Sequence, residues 1–140
     1  MSATKERVKI ITTKIGIDGH DRGVKVVTRM FMKAGFEVVY LGLYQTPESI
    51  VKAAIQEDAD VVGISSLDGT HLYLIPKVVE ELNRNRETQG ILLLVGGVIP
   101  AEDVPVLEAG GVARVFVGGS AVVDMVDFIN SKIAEKKANA

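Results

Sequence analysis

Short apolar runs alternate along the chain with longer segments in which apolar residues recur at helical spacing. The runs predict five strands, at residues 8–12, 37–41, 61–65, 91–95 and 114–117. The third and fourth runs are apolar at consecutive rather than alternate positions, which is typical of strands buried on both faces of a parallel sheet. The hydrophobic pattern therefore predicts an α/β fold.

Each predicted strand is followed by a segment with helical periodicity. In residues 24–34, for example, Val24, Val27 and Phe31 share one helix face, and Thr46 before Pro47 is a typical start of the next helix. Five β-α units favour a single doubly wound five-stranded parallel sheet with the flavodoxin-like, Rossmann-like strand order 2-1-3-4-5. Further helices are predicted after the loop at 66–70, at 103–109 and at 121–136.

Composition narrows the classes of function. The 140 residues suit one domain spanning residues 1–140, and the net charge of −2 with no basic stripe argues against a nucleic-acid partner. The chain has no cysteine, which excludes thiolate metal sites and thiol nucleophiles. No apolar run approaches the roughly 20 residues that span a bilayer, and the polar start does not resemble a signal peptide. We therefore expect a cytoplasmic protein without a membrane partner.

The loop at residues 14–23 concentrates the chemistry. It lies between the first strand and the first helix and contains His20, with Asp18 two residues before it. A carboxylate bonded to one ring nitrogen of a histidine fixes the tautomer and makes the other nitrogen a better metal ligand. Lys14 could lie behind Asp18 and tune its charge. The plainer interpretation is a solvated histidine, a turn aspartate and a solvated lysine at the strand end.

Two further elements fall where this fold binds ligands. Ser65 and Leu67 follow the third strand, and the pair Gly96 and Gly97 is placed after the fourth. Open α/β sheets bind ligands outside the carboxyl ends of their strands, near the point where the winding direction reverses. Taken singly, Ser65 could be a strand cap and the glycine pair a tight turn, but together with the His20 loop they predict a site.

These residues resemble a known family. Asp18, His20 and Gly23 match the D-x-H-x-x-G signature of cobalamin (vitamin B12)-binding domains, and the extended run from Lys14 to Gly23 is similar to the acyl-CoA mutase branch. Ser65 and Leu67 match the S-x-L element of that family. The resemblance covers nearly the whole chain and is strongest for the small, cobalamin-binding subunit of the methylmalonyl-CoA mutase family.

The resemblance implies how the cofactor is held. Cobalamin would bind base-off and His-on, with His20 as the axial ligand of cobalt and with Asp18 and Lys14 as the relay behind it. The nucleotide tail would enter a slot lined by Ser65 and Leu67. The implied cofactor-binding residues are Gly19, His20, Asp21, Arg22, Gly23, Ser65, Leu67, Gly96, Gly97, Phe116, Gly119 and Ser120.

One loop departs from the family pattern, and one histidine carries less weight. The run from Phe116 to Ser120 lacks the proline that the mutases usually carry there. Phe116, Gly119 and Ser120 are therefore similar in residue type to the family, but the motif is incomplete. His71 lies where the family often has histidine, and we assign it a minor role or a place at the start of a helix.

The implied activity is that of an isomerase. The family uses adenosylcobalamin for homolysis of the Co–C bond and a radical rearrangement of the acyl-CoA carbon skeleton. The resemblance implies a large TIM-barrel subunit that binds the acyl-CoA, so no catalytic residue is expected in this chain and no activity from it alone. We expect a methylmalonyl-CoA mutase type, with 2-hydroxyisobutyryl-CoA or isobutyryl-CoA mutase as the alternative.

Three other functions occur on similar folds. A corrinoid methyl carrier usually has a helical cap ahead of the sheet, whereas only seven residues precede the first predicted strand. A signalling receiver needs an aspartate at the end of the third strand, where this chain has Ser65 and places Asp68 in the loop. An FMN carrier needs a Ser/Thr-rich phosphate loop, which the His20 loop is not. We therefore rank these functions below the mutase.

Overall fold

A five-stranded parallel sheet forms the centre of the protein. The computed structural model describes residues 7–16, 18–118 and 120–139. The strands run in the order β2-β1-β3-β4-β5, so the predicted topology is confirmed. Their bounds are β1 Lys9–Lys14, β2 Glu37–Tyr40, β3 Val61–Ser66, β4 Leu92–Gly97 and β5 Arg114–Val117.

Helices connect successive strands and cover both faces of the sheet. None of the helices in the described ranges has the length and apolarity needed to cross a bilayer. Single 3₁₀ turns at Arg86–Thr88 and Ala101–Asp103 precede β4 and the fourth helix. The helices are α1 Arg22–Lys33, α2 Pro47–Glu57, α3 His71–Arg84, α4 Val104–Ala109 and α5 Val122–Ala138.

Local chemistry sets the start of α2. The Thr46 hydroxyl accepts a hydrogen bond from the Ser49 backbone N–H at 3.0 Å, and the Ser49 hydroxyl accepts one from the Thr46 N–H at 2.9 Å. This reciprocal pair satisfies two N–H groups that a helix start leaves free, and Pro47 needs no partner for its nitrogen. The predicted N-cap is confirmed. It holds the β2–α2 loop near the carboxyl end of β1, where Gly16 N donates to Gln45 O at 2.9 Å.

The two faces of the sheet carry separate apolar clusters. On the face covered by α2, α3 and α4, the sheet contributes residues such as Ile11, Val62 and Leu93. On the face covered by α1 and α5, which we name the α1/α5 face, the sheet contributes Ile10 and Leu94 among others. Successive strand residues point to opposite faces, so both faces of the sheet are buried, as the consecutive apolar runs predicted.

The glycine pair lies inside the sheet, which corrects its predicted place after the fourth strand. Gly96 and Gly97 are the last two residues of β4 and pair with Ser65 and Ser66 of β3. A Cβ at Gly97 would lie 2.2 Å from the Ser66 carbonyl oxygen, and Gly97 has φ +121°. Glycine is therefore required there by close contact between the strands, not by a tight turn.

Candidate functional site

Lys14, Asp18 and His20 form a continuous polar chain at the carboxyl end of β1. Lys14 Nζ donates to Asp18 Oδ2 at 2.6 Å, and His20 Nδ1 lies 2.9 Å from Asp18 Oδ1. Lys14 is fully buried and Asp18 is 3% exposed, whereas the His20 side chain is 73% exposed. The interpretation of Lys14 as a solvated strand end is wrong. The structure brings the three residues together in the order that the motif predicted.

The Asp18 carboxylate is held ionised by its surroundings. It accepts backbone N–H bonds from His20 at 3.0 Å and Leu67 at 2.8 Å, besides the bonds from Lys14 and the His20 ring. Burial raises the pKa of Asp18, but the hydrogen bonds from Lys14, His20 and Leu67 outweigh it and hold the pKa well below its usual range. Both oxygens of the Asp18 carboxylate therefore accept hydrogen bonds, and neither carries a hydrogen.

This fixes the state of the histidine. An ionised carboxylate can only accept, so the Nδ1 of His20 must carry the hydrogen that faces Asp18. In the neutral ring, Nε2 is then left with its lone pair and without a hydrogen. Because most of the side chain is exposed, Nε2 is suited to bind a metal ion from outside the chain.

Asp18 also joins two of the predicted motifs. Its Oδ2 accepts from the N–H of Leu67, which is 49 residues away in sequence. The D-x-H loop after β1 is thereby tied to the S-x-L segment after β3. Leu67 was predicted as a tail contact, and this second role of its backbone was not predicted because nothing in the local sequence indicates it.

A cavity of about 240 Å³ lies beside the relay on the α1/α5 face. It runs between the sheet and the two helices and is mostly apolar, with Thr12, Ser65 and Ser120 as hydroxyl-bearing residues in its wall. Its size is a little below the range of about 300–1,000 Å³ that is typical of sites for drug-sized ligands. Of the predicted cofactor-binding residues, it is lined by Gly23, Ser65, Leu67, Gly96, Gly97, Phe116 and Ser120.

Gly19, Asp21 and Arg22 are not among the residues that line the cavity. Gly19 lies at the surface beside the hydroxyl of Tyr44. Asp21 pairs with Lys25 at 2.9 Å, and the exposed Arg22 is the first residue of α1. The predicted contact at Gly119 falls outside the described residues.

Phe116 has a packing role in addition to its place in the cavity wall. It is 5% exposed, and its ring meets that of Phe128 edge-on, with centroids 6.0 Å apart. Arg114 lies over both rings, at 5.0 and 5.4 Å from their centroids. The residue therefore anchors α5 against β5 and closes one side of the cavity.

His71 is the first residue of α3, as one of its two interpretations predicted. It is buried, its Nε2 lies 2.8 Å from Asp103 Oδ2, and its Nδ1 has no partner among the described residues. The contact links the start of α3 to the segment that follows β4. His71 does not line the cavity, so the geometry gives it a structural role.

Several cavity residues were not identified from the sequence. Gly63 lies in the middle of β3, where a glycine weakens a strand but allows a ligand to approach it closely. Gly63 is the one residue of this group whose position within a strand could have indicated a ligand site from the sequence. The remaining wall residues include Thr12, Val24, Val27, Phe31, Leu94 and Met125, which look like ordinary core positions in the sequence.

The sequence of this chain matches a known protein family over most of its length. The sequence profile of the family described as "B12 binding domain" matches residues 8–126. The chain belongs to the B12-binding domain family. The matched segment contains the relay, the cavity wall and all five strands, so the predicted resemblance is confirmed.

Curated relatives within this family are acyl-CoA mutases. The chain is 40% identical over 131 residues to the 2-hydroxyisobutanoyl-CoA mutase small subunit of Aquincola tertiaricarbonis, covering 94% of this chain and 96% of that one. It is 41% identical to the pivalyl-CoA mutase small subunit of Xanthobacter autotrophicus, covering 89% and 82%. It is 41% identical to the methylmalonyl-CoA mutase of Rhizobium meliloti, but it spans only 18% of that protein. The chain is a homologue of acyl-CoA mutase small subunits.

Solved structures support the fold. A cobalamin-binding protein from Desulfitobacterium hafniense superposes with a TM-score of 0.76 at 22% identity, covering 91% of this chain and 60% of that chain. A receiver domain of the response regulator NarL from Mycobacterium tuberculosis also superposes, with a TM-score of 0.66 at 16% identity and covering 91% and 96%. Likeness at this identity shows the fold alone.

The residues present fit the family's cofactor. His20 offers an exposed ring nitrogen backed by a buried carboxylate, and the adjoining cavity has the mostly apolar wall that a bicyclic heterocycle needs. A Cβ built at Gly23 meets no atom within 4 Å, and one built at Gly63 meets only the Ile11 carbonyl at 3.9 Å. The space beside these glycines is therefore open to a ligand.

Proposed function

We propose that this chain is the cobalamin-binding subunit of an adenosylcobalamin-dependent acyl-CoA mutase. The observation that carries the proposal is the exposed His20 ring, held by Asp18 and Lys14 directly beside an apolar cavity. The relay provides one metal ligand, and the cavity provides a place for the displaced nucleotide tail. Because a metal ligand and a space for the tail occur in one site, we propose that the site binds cobalamin.

In this function the chain binds and orients the cofactor. His20 Nε2 would bind the cobalt, and the cavity, with Ser65 in its wall, would hold the nucleotide tail with its lower base. The ionised Asp18 would raise the electron density on the His20 ring through the Nδ1–H bond, while the buried Lys14 would limit that effect by neutralising the carboxylate. Adenosylcobalamin, when bound, supplies the radical chemistry through homolysis of its Co–C bond.

The proposal requires a large partner subunit. The cavity has a volume of about 240 Å³, which is too small to enclose an acyl-CoA. The names of the relatives carry three acyl groups at 40–41% identity, so similarity does not separate the substrates. We place the acyl-CoA pocket and its selectivity in the large subunit, and we propose that the enzyme works in the cytoplasm.

Co-expression with a candidate large mutase subunit tests the proposal. The purified complex is loaded with adenosylcobalamin and assayed with methylmalonyl-CoA, 2-hydroxyisobutyryl-CoA, isobutyryl-CoA and pivalyl-CoA. We expect isomerisation of one of them by the complex, none by either chain alone, and loss of activity in the His20→Ala complex. Full activity from this chain alone, or an active His20→Ala complex, would contradict the proposal.

A further inference from the structure

Tyr44, in the loop between β2 and α2, combines an unusual backbone conformation with an exposed side chain. Its φ is +61°, in the left-handed region that glycine adopts freely and that bulky residues rarely adopt. Tyr44 is also 64% exposed, so burial of the ring in the core does not offset this strain. Strained backbone of this kind is typical of functional positions.

The residue that follows holds Tyr44 in this conformation. The carbonyl of Gln45 accepts a hydrogen bond from the Gly16 N–H at 2.9 Å. The side-chain amide of Gln45 donates to the carbonyls of Leu41 and Leu43, at 3.1 and 3.2 Å. These bonds close the loop around Tyr44 and join it to the end of β1. The loop therefore presents the tyrosine ring at a fixed place.

That place is beside the His20 loop. A Cβ built at Gly19, the residue directly before His20, would lie 3.7 Å from the Tyr44 hydroxyl oxygen. The two loops follow β1 and β2, which are neighbours in the sheet. The His20 side chain is 73% exposed, so two exposed rings lie on adjacent loops. A ligand that is bound by His20 and is much wider than an imidazole ring therefore reaches Tyr44.

The same edge of the sheet exposes further apolar side chains. Val98 follows β4 and is 65% exposed, and Val117 ends β5 and is 43% exposed. In the strand order β2-β1-β3-β4-β5, Tyr44 lies on one side of His20 and Val98 on the other. Exposed apolar groups on both sides of a metal-binding nitrogen suit a broad and largely apolar ligand. Tyr44 does not line the cavity, so this surface is separate from the place of the nucleotide tail.

We propose that Tyr44 is a cofactor-binding residue whose ring contacts the corrin macrocycle of the cobalamin that His20 binds. An aromatic ring supplies a large apolar contact area to such a ligand. This inference rests on the proposed function, since it takes cobalamin as the ligand of His20. It adds a contact from the β2–α2 loop, and it explains why that loop carries tyrosine where glycine would be less strained.

Nitration of tyrosine tests the contact directly. Tetranitromethane nitrates exposed tyrosine rings, and the chain has three tyrosines and no cysteine that would consume the reagent. The full chain is treated in the dark with and without adenosylcobalamin, and the nitrated positions are quantified by mass spectrometry of peptides. The large subunit is left out, so that only the cofactor can cover the ring. We expect loss of nitration at Tyr44 when adenosylcobalamin is bound.

The other two tyrosines are internal references. Tyr73 is 67% exposed, and its helical position places it on the side of α3 opposite the buried Ile75 and Val78. Its nitration should not change when the cofactor binds. The hydroxyl of Tyr40 is buried, and burial raises the pKa of Tyr40. Because the phenolate is the reactive form, Tyr40 should be nitrated little in either condition.

The Tyr44→Gly variant separates binding from folding. Glycine adopts a φ of +61° without strain, so the midpoint of urea denaturation should not fall. The dissociation constant for adenosylcobalamin, measured by equilibrium dialysis, should rise about tenfold because the contact of the ring is lost. Tyr44→Phe keeps the ring and should keep the affinity. Tyr73→Ala is the matched control, since it removes another exposed tyrosine, and it should also keep the affinity.

The outcomes separate this inference from the proposed function. Equal nitration of Tyr44 with and without bound adenosylcobalamin would overturn the role of Tyr44 and leave the proposed function standing. Protection that begins only when the large subunit is added would also overturn it, because the subunit would then cover the ring. Unchanged affinity in Tyr44→Gly would have the same meaning. Failure of the unmodified chain to bind adenosylcobalamin would overturn both.

Discussion

The two faces of the sheet are built from the same strands but serve different purposes. On the face covered by α2 to α4, which we call the filled face, β3 and β4 contribute Val62, Ile64, Leu93 and Val95 to an apolar cluster. On the α1/α5 face, alternate positions of the same strands include Gly63, Ser65 and Gly96, and a cavity remains. Since side chains alternate between faces, one strand can supply core on one side and a binding site on the other.

The α1/α5 face contains both a cavity and a buried charge. The filled face provides the apolar burial that holds the sheet. The α1/α5 face gives up part of that burial to small residues and carries the fully buried Lys14, whose charge is matched by Asp18. Stability should therefore depend on the filled face and on the paired charge, whereas cofactor binding should depend on the open space.

The largest effect on stability is expected from Asp18→Asn. The change leaves the ammonium group of Lys14 fully buried without its counter-charge, which should lower the free energy of unfolding by about 3–5 kcal/mol. Urea denaturation measures it. Asp21→Asn is the control, because it breaks another lysine–aspartate pair, with Lys25 of α1, whose lysine is 51% exposed and whose aspartate is 31% exposed. It should cost less than about 1 kcal/mol. Equal losses would contradict the assigned role of Asp18.

Neighbouring leucines on β4 compare the two faces directly. Leu93 is 2% exposed on the filled face, and Leu94 is 5% exposed beside the cavity. Leu93→Ala should lower the free energy of unfolding by about 2–5 kcal/mol, because it opens a new void. Leu94→Ala should cost less, because that side chain already borders open space, but it should weaken cobalamin binding. Urea denaturation and equilibrium dialysis measure the two effects, and the reverse order of stabilities would contradict the comparison.

Filling the cavity should separate binding from folding. Gly63→Val places a strand-favouring side chain in the open space, since the nearest atom to a Cβ there is Ile11 O at 3.9 Å. We expect cobalamin affinity to fall by about tenfold or more with no loss of stability. Gly97→Ala is the contrasting variant, because its Cβ would lie 2.2 Å from Ser66 O and should destabilise the fold. Unchanged cobalamin affinity in Gly63→Val would show that the cavity is not the tail site.

The smallest effect concerns acid stability. The pKa of Asp18 lies well below its usual range in the folded chain, whereas the pKa of an aspartate in an unfolded chain is about 3.9. The unfolded chain therefore takes up this proton first, so the contribution of Asp18 is complete at neutral pH and is lost as the pH falls below about 4. Urea denaturation can be measured between about pH 5 and about pH 2, the range in which carboxyl groups titrate. The free energy of unfolding should fall more steeply with falling pH in the unmodified chain than in Asp18→Asn. Equal slopes would mean that the carboxylate is not stabilised by folding.

Much of the fold and the relay could be predicted because the signals are local. The apolar runs and the helices between them indicated five β-α units, for which the order 2-1-3-4-5 was predicted. Asp18 and His20 are two residues apart, so one turn of the loop brings them together. The cavity wall could not be predicted in the same way. Thr12 and Leu94 line it only because of the face to which each strand turns them.

Long-range contacts set the other limit on prediction. The bond from Leu67 N to Asp18 spans 49 residues, and the contact of His71 with Asp103 spans 32. Neither leaves a pattern in the neighbouring sequence. The place of Gly96 and Gly97 was mistaken for a similar reason, because pairing with β3 extends β4 beyond its apolar run.

The most direct test of the account is the identity of the cobalt ligand. Cob(II)alamin is added to the full chain in which the histidine ring nitrogens are labelled with nitrogen-15, and the axial-nitrogen splitting is recorded by EPR. The account predicts that labelling changes the splitting pattern in the unmodified chain and that the protein-derived signal is absent in His20→Ala. A bound cofactor whose splitting is unchanged by the label would contradict the assignment of His20, because its own benzimidazole would then still hold the cobalt.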